Sequence, residues 1–386
     1  MIKDLLLKSL KKKCTLLGVG PMSKNCVDVA IDISNKYDIT LFLIASRRQI
    51  DADQFNGGYV NNWSTRTFSE YVGKRDKNKK IILCRDHGGP WQNPKEIEKK
   101  LDLDSAIKSA KESFLEDIKN GFKKIHIDPS IDIFRKPSTE EILNRIFDLY
   151  EYCWEKSKEY KNDIIFEIGT EEQSGGINTQ EELEYILASV NNFCDKNKLP
   201  KPFFVVFQCG TRVMETRNIG SFDLPLRVKD EIPAEIQLPK TIETCLKNNV
   251  FLKEHNADYL SNEALSWHPR LGIHAANVAP EFGVTETRAL LNILETNNLK
   301  DLAEEFLSIS YASMKWKKWI LPNSKISKRE KSIISGHYVF SNPKVLEIKE
   351  KAIFDLKGKG INLDYFLKKE ISVCMKRILF NFRLIR

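Results

Sequence analysis

The chain is short of histidine, has no closely spaced cysteine pair and contains no long apolar run, and each shortage removes a class of protein. No stretch approaches the roughly 18 consecutive apolar residues of a membrane-spanning helix. The eight cysteines among 386 residues show no Cys-x-x-Cys spacing. Two of them, Cys84 and Cys209, sit inside apolar runs, where a thiol behaves as a small buried hydrophobe rather than as half of a disulfide or a zinc ligand. Internal repeats and low-complexity segments are absent. The N-terminal MIKDLLLKSLKKKC places its charges after a very short apolar run and offers no small-residue cleavage site, so it reads as a poor signal peptide and predicts a cytoplasmic protein. Lys and Arg exceed Asp and Glu by 61 to 53, a net charge of +8. The lysines alternate with glutamates, as in KEIEKKLDLD and KSKEYKNDI, which marks solvated helix faces. Nucleic acid and membrane are therefore not expected as partners, and the surplus charge fits a local preference for small anionic substrates.

What is present is a regular alternation. Apolar segments of four to eight residues recur as CTLLGVG, ITLFLIAS, KIILCRDH, KKIHIDPS, DIIFEIGTE, PFFVVFQCG, VFLKEHNAD and GIHAANVAP. Near-continuous Ile, Leu, Val and Phe without strict alternation marks strands covered on both faces. Between them lie stretches of period 3.6, such as NCVDVAIDISNKY and TEEILNRIFDLYEYCWEKSKEY. Eight such pairs predict an α/β fold, a (β/α)8 TIM barrel over residues 1–300 with a helical C-terminal extension over 301–386.

Four of the six histidines lie near the ends of apolar runs: His87, His126, His255 and His274. In such a barrel the C-terminal strand ends open onto one face, so residues far apart in sequence meet there. The third strand ends in Asp86-His87-Gly88-Gly89, an ionisable pair followed by glycines that permit a tight turn or close approach. The fourth ends in His126-Ile127-Asp128, whose alternation puts both polar side chains on one side. The fifth supplies Glu167 and then Glu171, the sixth Gln208, the seventh His255 and Asp258, the eighth His274 and Asn277. Imidazoles and carboxylates converging from several strands can hold a divalent metal with one position open, and Asp86 beside it could accept a proton in enolate or retro-aldol chemistry. His126 reads equally as packing, as a partner of Asp128 or as part of the site. His274 is expected outside the metal shell, and His268 and His337 as structural. Gly57-Gly58 reads as a turn. Arg47 and Arg48, just past the second strand, are either a solvated pair or a bidentate site for phosphate oxygens.

From about residue 15 to about residue 345 the chain resembles the class II D-tagatose-bisphosphate aldolase subunits called non-catalytic, together with their relatives described as fructose/tagatose 6-phosphate 4-epimerases. The segments that carry the resemblance, in order, are QIDADQFNGGY, DHGGPWQ, KIHIDPS, IGTEEQSGG, EHNADY and KWILPNSKI. The resemblance to class II aldolases implies a divalent metal, expected to be Zn2+, held by His87, His255 and Glu167. It implies acid/base roles for Asp86 and Glu171, and substrate contacts from Gln49, Gly58, Asp128, Gln208 and Asn277. The chain departs from the pattern where Gln208 stands in place of a metal-binding histidine. It departs again at IASRRQ, which lacks the family's acid and adds Arg47 and Arg48, and Arg85 and the run from Arg212 to Arg217 add further positive charge. The implied activity is a metal-dependent ketose-phosphate epimerase; the alternatives are a D-tagatose-1,6-bisphosphate aldolase or its non-catalytic stabilising subunit. The implied partners are a phosphorylated ketose and either a second copy of the chain or an aldolase subunit.

Overall fold

In the computed structural model the described residues are 2–169, 180–207, 210–223 and 234–386. Eight parallel strands close into a barrel: β1 (Leu16–Val19), β2 (Leu41–Ser46), β3 (Ile81–Gly88), β4 (Lys124–Ile127), β5 (Ile165–Ile168), β6 (Phe204–Val206), β7 (Phe251–Glu254) and β8 (Ala275–Val278). The eighth pairs with the first in register from Leu16↔Ala275 to Val19↔Val278, which closes the ring. The eight apolar runs in the sequence are these eight strands, buried on both faces as their composition requires.

Helices follow each strand, and many of their starts are written in the sequence. Ser23, Ser64, Asp102, Ser138 and Ser261 each accept a backbone N–H of the first helical turn through the side chain. Ser64 with Thr67, and Ser138 with Glu141, complete reciprocal capping boxes. The helix Thr139–Glu159 buries Ile142, Ile146, Leu149, Tyr150 and Cys153 along one stripe. Its Tyr150 stacks on Phe166 of β5 at 3.8 Å between ring centroids and donates its hydroxyl to Pro200 O. Each such fully buried side chain contributes about 1.5–3 kcal/mol. Described cysteines are free and mostly buried, and burial pushes the Cys84 thiol up to about 12, consistent with an apolar role. Among the described residues no helix is long and apolar enough to cross a membrane.

Beyond residue 300 the chain is helical: Lys300–Ala312, Lys328–Ser335, Pro343–Lys357 and Leu363–Asn381, with short turns of 3-10 helix at Lys315–Trp319 and Gly336–Val339. Phe306, Ile333, Phe340, Ile348 and Leu367 share an apolar cluster with Leu290 and Leu294 of the helix Pro280–Thr296. Ile371, Met375, Ile378 and Leu379 of the last helix belong instead to the main core, against the helices Lys24–Tyr37 and Pro280–Thr296. The chain end then returns to the start of the barrel, where Thr15 N–H donates to Phe382 O at 3.1 Å.

Candidate active site

The third strand does not end as a regular strand. Its register against β4 runs Arg85↔Ile125 and then Gly88↔Ile127, so three steps on β3 face two on β4. In a regular strand Asp86 and His87 point to opposite faces. The irregularity, with His87 in the left-handed region at φ 45°, lets both line the same cavity. A non-glycine residue held there carries local backbone strain. Gly88 and Gly89 are required by space: a Cβ on either would overlap the Phe114 ring or the Asp128 carbonyl.

Inside the barrel the site stands on a buried charge cluster. Lys124 of β4, Glu167 of β5 and Lys253 of β7 are all fully buried. Lys253 Nζ lies 2.9 Å from both Glu167 oxygens, and Lys124 bonds the same carboxylate. Burial alone would raise Glu167, but the two ammoniums hold it well below the usual carboxylate range. Burial in turn pushes Lys253 down to about 8. Two residues further along the same strands come His126 and His255, on the same inward face by alternation.

Around that base the three imidazoles of His87, His126 and His255 form a triangle with ring centroids 5.0 to 5.4 Å apart. Asp86 lies among them: His126 Nδ1 is 3.5 Å, and His255 Nε2 3.7 Å, from Oδ1, His87 Nε2 is 3.8 Å from Oδ2, and Asn277 Nδ2 donates to Oδ1 at 3.2 Å. Burial opposes its ionisation, yet His87, His255 and Lys253 hold it well below the carboxylate range. His87 bonds Asp128 through Nδ1 at 2.6 Å, and despite burial the Asp86 and Asp128 carboxylates raise it. His255 is pushed down to about 4 by burial, so its ring is neutral at pH 7, and its buried Nε2 has no hydrogen-bond partner among the described residues.

These groups can hold a divalent ion. One ligand atom each from Asp86, His126, Glu167 and His255 lie within 4.8 Å of one another. A neutral imidazole with an orphaned nitrogen beside two ionised carboxylates is the donor chemistry that a zinc-like cation takes. Two features shape the fit: Glu167 is already shared by two ammoniums, and His126 Nδ1 accepts the His87 backbone N–H at 3.1 Å. His255 is thus less engaged by neighbours than Asp86, which accepts from Asn277. His87, expected from the sequence as a ligand, is not one of these four and stands at their rim, tied to Asp128.

The remaining sequence candidates divide. Arg48, Gln49 and Asn277 line the cavity with Asp86, His87 and His255, and the cavity with its open mouth encloses about 790 Å3. Arg47 takes a different place. It is 1% exposed, and its guanidinium is consumed by Asp51 at 3.0 Å, Glu96 at 2.7 Å, Gly89 O at 3.1 Å and Ser109 at 3.0 Å, which makes it a frame for the loops after β2 and β3. Arg85 likewise adds no charge to the mouth, because it is buried in a bidentate pair with Asp117 at 2.6 and 2.7 Å. Gly58 is in the wall of a neighbouring outer cavity, where its backbone crosses Gln49 so closely that a Cβ would overlap it. His274 precedes β8 rather than ending it; its ring packs on Phe251 at the opposite end of the barrel. His268 is buried and bonded to Glu254 and Ala264 O. Glu171 and Gln208 lie outside the described residues.

Sequence reasoning missed two groups. Lys124 and Lys253 carried a signal, each standing two residues before a site imidazole in KIH and KEH. Lys318, Trp319 and Tyr338 also line the cavity, brought there by the C-terminal region; Lys318 and Trp319 open the KWILPNSKI segment, to which the sequence reading gave no place in the site.

Comparison with solved structures shows the fold. A probable tagatose 6 phosphate kinase from Sinorhizobium meliloti is 16% identical, with a TM-score of 0.76 over 95% of this chain and 100% of that one. A fructose-bisphosphate aldolase from Campylobacter jejuni is 11% identical, with a TM-score of 0.58 over 100% and 94%. A fructuronate-tagaturonate epimerase from Cohnella laeviribosi is 10% identical, with a TM-score of 0.53 over 96% and 81%. No curated protein sequence matches the chain. A family model matches over residues 5–198, half of the chain, and that stretch contains β1 to β5 with Asp86, His87, His126 and Glu167. The chain is a member of the D-tagatose-1,6-bisphosphate aldolase subunit GatZ/KbaZ-like family.

Proposed function

We propose that the protein is a metal-dependent epimerase of ketose phosphates that works by retro-aldol cleavage or proton transfer at the head of the barrel. The observation that carries this reading is Asp86, an ionised carboxylate surrounded by three imidazoles and opening into a cavity that Arg48, Gln49 and Asn277 also line. Asp86 takes a proton from the ketose and returns it; Asn277 fixes the carboxylate through its amide, and Asp128 orients His87. Glu171 is the proposed second acid/base, and Arg48, Gln49, Asp128, Gln208 and Asn277 the groups that contact substrate. Arg47 and Gly58 shape the loop that carries Arg48 and Gln49. A divalent cation, proposed as Zn2+, would be held by His255 and Glu167 with His126 or His87 beside them. When bound, it would supply Lewis acidity that polarises the ketose carbonyl.

The test is elemental analysis of purified protein combined with an NMR screen of ketose phosphates and bisphosphates. Conversion to the epimer supports the reading, and turnover of no ketose phosphate in the presence of added metal defeats it. Asp86→Asn keeps the shape and removes the base, so turnover should fall by about 10² to 10⁴. A variant within about threefold of wild type removes Asp86 from that role, since a positioned carboxylate contributes far more.

A second reading is favoured by the family's description as an aldolase subunit. In that case the chain cleaves a ketose bisphosphate and releases both fragments, or acts only when mixed with a separate aldolase chain. Release of triose phosphate, alone or on mixing, distinguishes it from epimerisation.

A further inference from the structure

The cavity has two chemically distinct ends. At the barrel end lie Asp86, His87 and His255; at the mouth lie Arg48, from the loop after β2, and Lys318, from the short 3-10 turn Lys315–Trp319. Both cations face the same cavity, and neither has an ion pair with a carboxylate among the described residues. The contrast with the adjacent Arg47, whose guanidinium is saturated by four internal partners, shows what a structural arginine looks like at this place. Trp319 Nε1 donates to the Tyr338 hydroxyl at 3.0 Å, and that hydroxyl keeps its own proton to donate into the cavity. The Lys318 ammonium also lies 4.4 Å from the Trp319 ring centroid, which fixes it at the wall. Two cations on the wall of one cavity without a counter-ion repel, a cost that an incoming dianion reverses.

We propose that Arg48, Lys318 and the Tyr338 hydroxyl form the phosphate clamp of this cavity, so that the C-terminal segment selects a phosphorylated substrate. The clamp rests on the ketose reading only for the carbon skeleton bound between it and Asp86. Its own ligand is a phosphate monoester dianion, held by charge-assisted bonds from a guanidinium and an ammonium. A ketose carrying its phosphate at the end remote from the reacting carbons satisfies both ends at once.

Calorimetric titration of the full chain with inorganic phosphate tests the clamp without requiring turnover. Wild type should bind phosphate saturably; Arg48→Met and Lys318→Met should each weaken binding about tenfold to a hundredfold, and the double variant should abolish it. Lys318→Arg should retain binding, which separates loss of charge from loss of fold. Lys11→Met, on the far end of the barrel, should match wild type. Phosphate binding at wild-type affinity in the double variant, or no binding to wild type, overturns the proposal. If a ketose phosphate is turned over with unchanged KM in both single variants, the clamp fails and the ketose chemistry stands. If phosphate binding depends on both cations and no ketose is turned over, the clamp stands and the epimerase reading fails.

Discussion

At the scale of single residues, the barrel interior depends on Glu167. Among the described residues it is the ion-pair partner shared by two fully buried ammoniums, so its removal differs from the loss of an ordinary ion pair. Glu167→Gln keeps the volume and removes the carboxylate that Lys124 and Lys253 share, leaving only the more distant Asp86 opposite them. Breaking a buried pair from one side costs about 3–5 kcal/mol, and urea unfolding of the variant should show a loss of that size. Lys253→Met should cost less, because Lys124 still neutralises the carboxylate; equal losses would refute the shared-charge account. The residue scale is also where the sequence was hardest to read. Arg47 and Arg48 are adjacent and chemically identical, and only the fold shows that one is enclosed by Asp51, Glu96, Gly89 and Ser109 while the other faces a cavity. Lys124 and Lys253 look like ordinary solvated lysines until the strand alternation is followed inward from His126 and His255.

At the scale of elements, the strands were legible because a parallel barrel demands runs apolar on both faces, and few other arrangements do. Strand ends were less so. GIHAANVAP is one apolar run, but the strand starts at Ala275, which puts His274 before it and at the far end of the barrel. KIILCRDH hid an irregularity, since nothing in its composition shows that β3 gains a residue on β4 and turns His87 to positive φ. The loop after β2 is fixed by contacts rather than by hydrophobicity. Gly58 N–H donates to Trp63 O, Val60 N–H donates to Gln49 O, and a Cβ at Gly58 would overlap Gln49 O. Gly58→Ala should therefore destabilise by about 1–3 kcal/mol, read as a lower midpoint in urea, and shift the loop that carries Arg48. An unchanged midpoint would show that the loop backbone moves aside freely.

At the scale of the whole molecule, buried neutral histidines make stability depend on pH. His337 is 1% exposed, neither ring nitrogen has a hydrogen-bond partner among the described residues, and burial followed by Lys318 pushes it down to about 3. Burial also pushes His274 down to about 4. A depressed histidine pKa means that the unfolded chain takes the proton first. The stability is therefore intact above the unfolded value of about 6.5 and is lost as pH falls toward the folded value. At pH 5 His337 alone should cost about 2 kcal/mol relative to pH 7.5. Denaturation midpoints at the two pH values should show this, and His337→Phe should flatten the slope whatever it does to absolute stability. An identical slope in the variant would assign the pH dependence to other groups.

Thr15, at the entry to the first strand, is hydrogen-bonded to Phe382, four residues from the last. A nascent chain emerging at about 5–20 residues per second therefore waits roughly 20 to 70 s between making the first strand and making its lock. During that interval the apolar outer face of the helices that receive Ile371, Met375 and Ile378 is uncovered, and Lys318 and Tyr338 reach the ribosome exit only after every barrel strand. Emergence of the C-terminal segment, not completion of the eighth strand, is then the event that finishes the pocket.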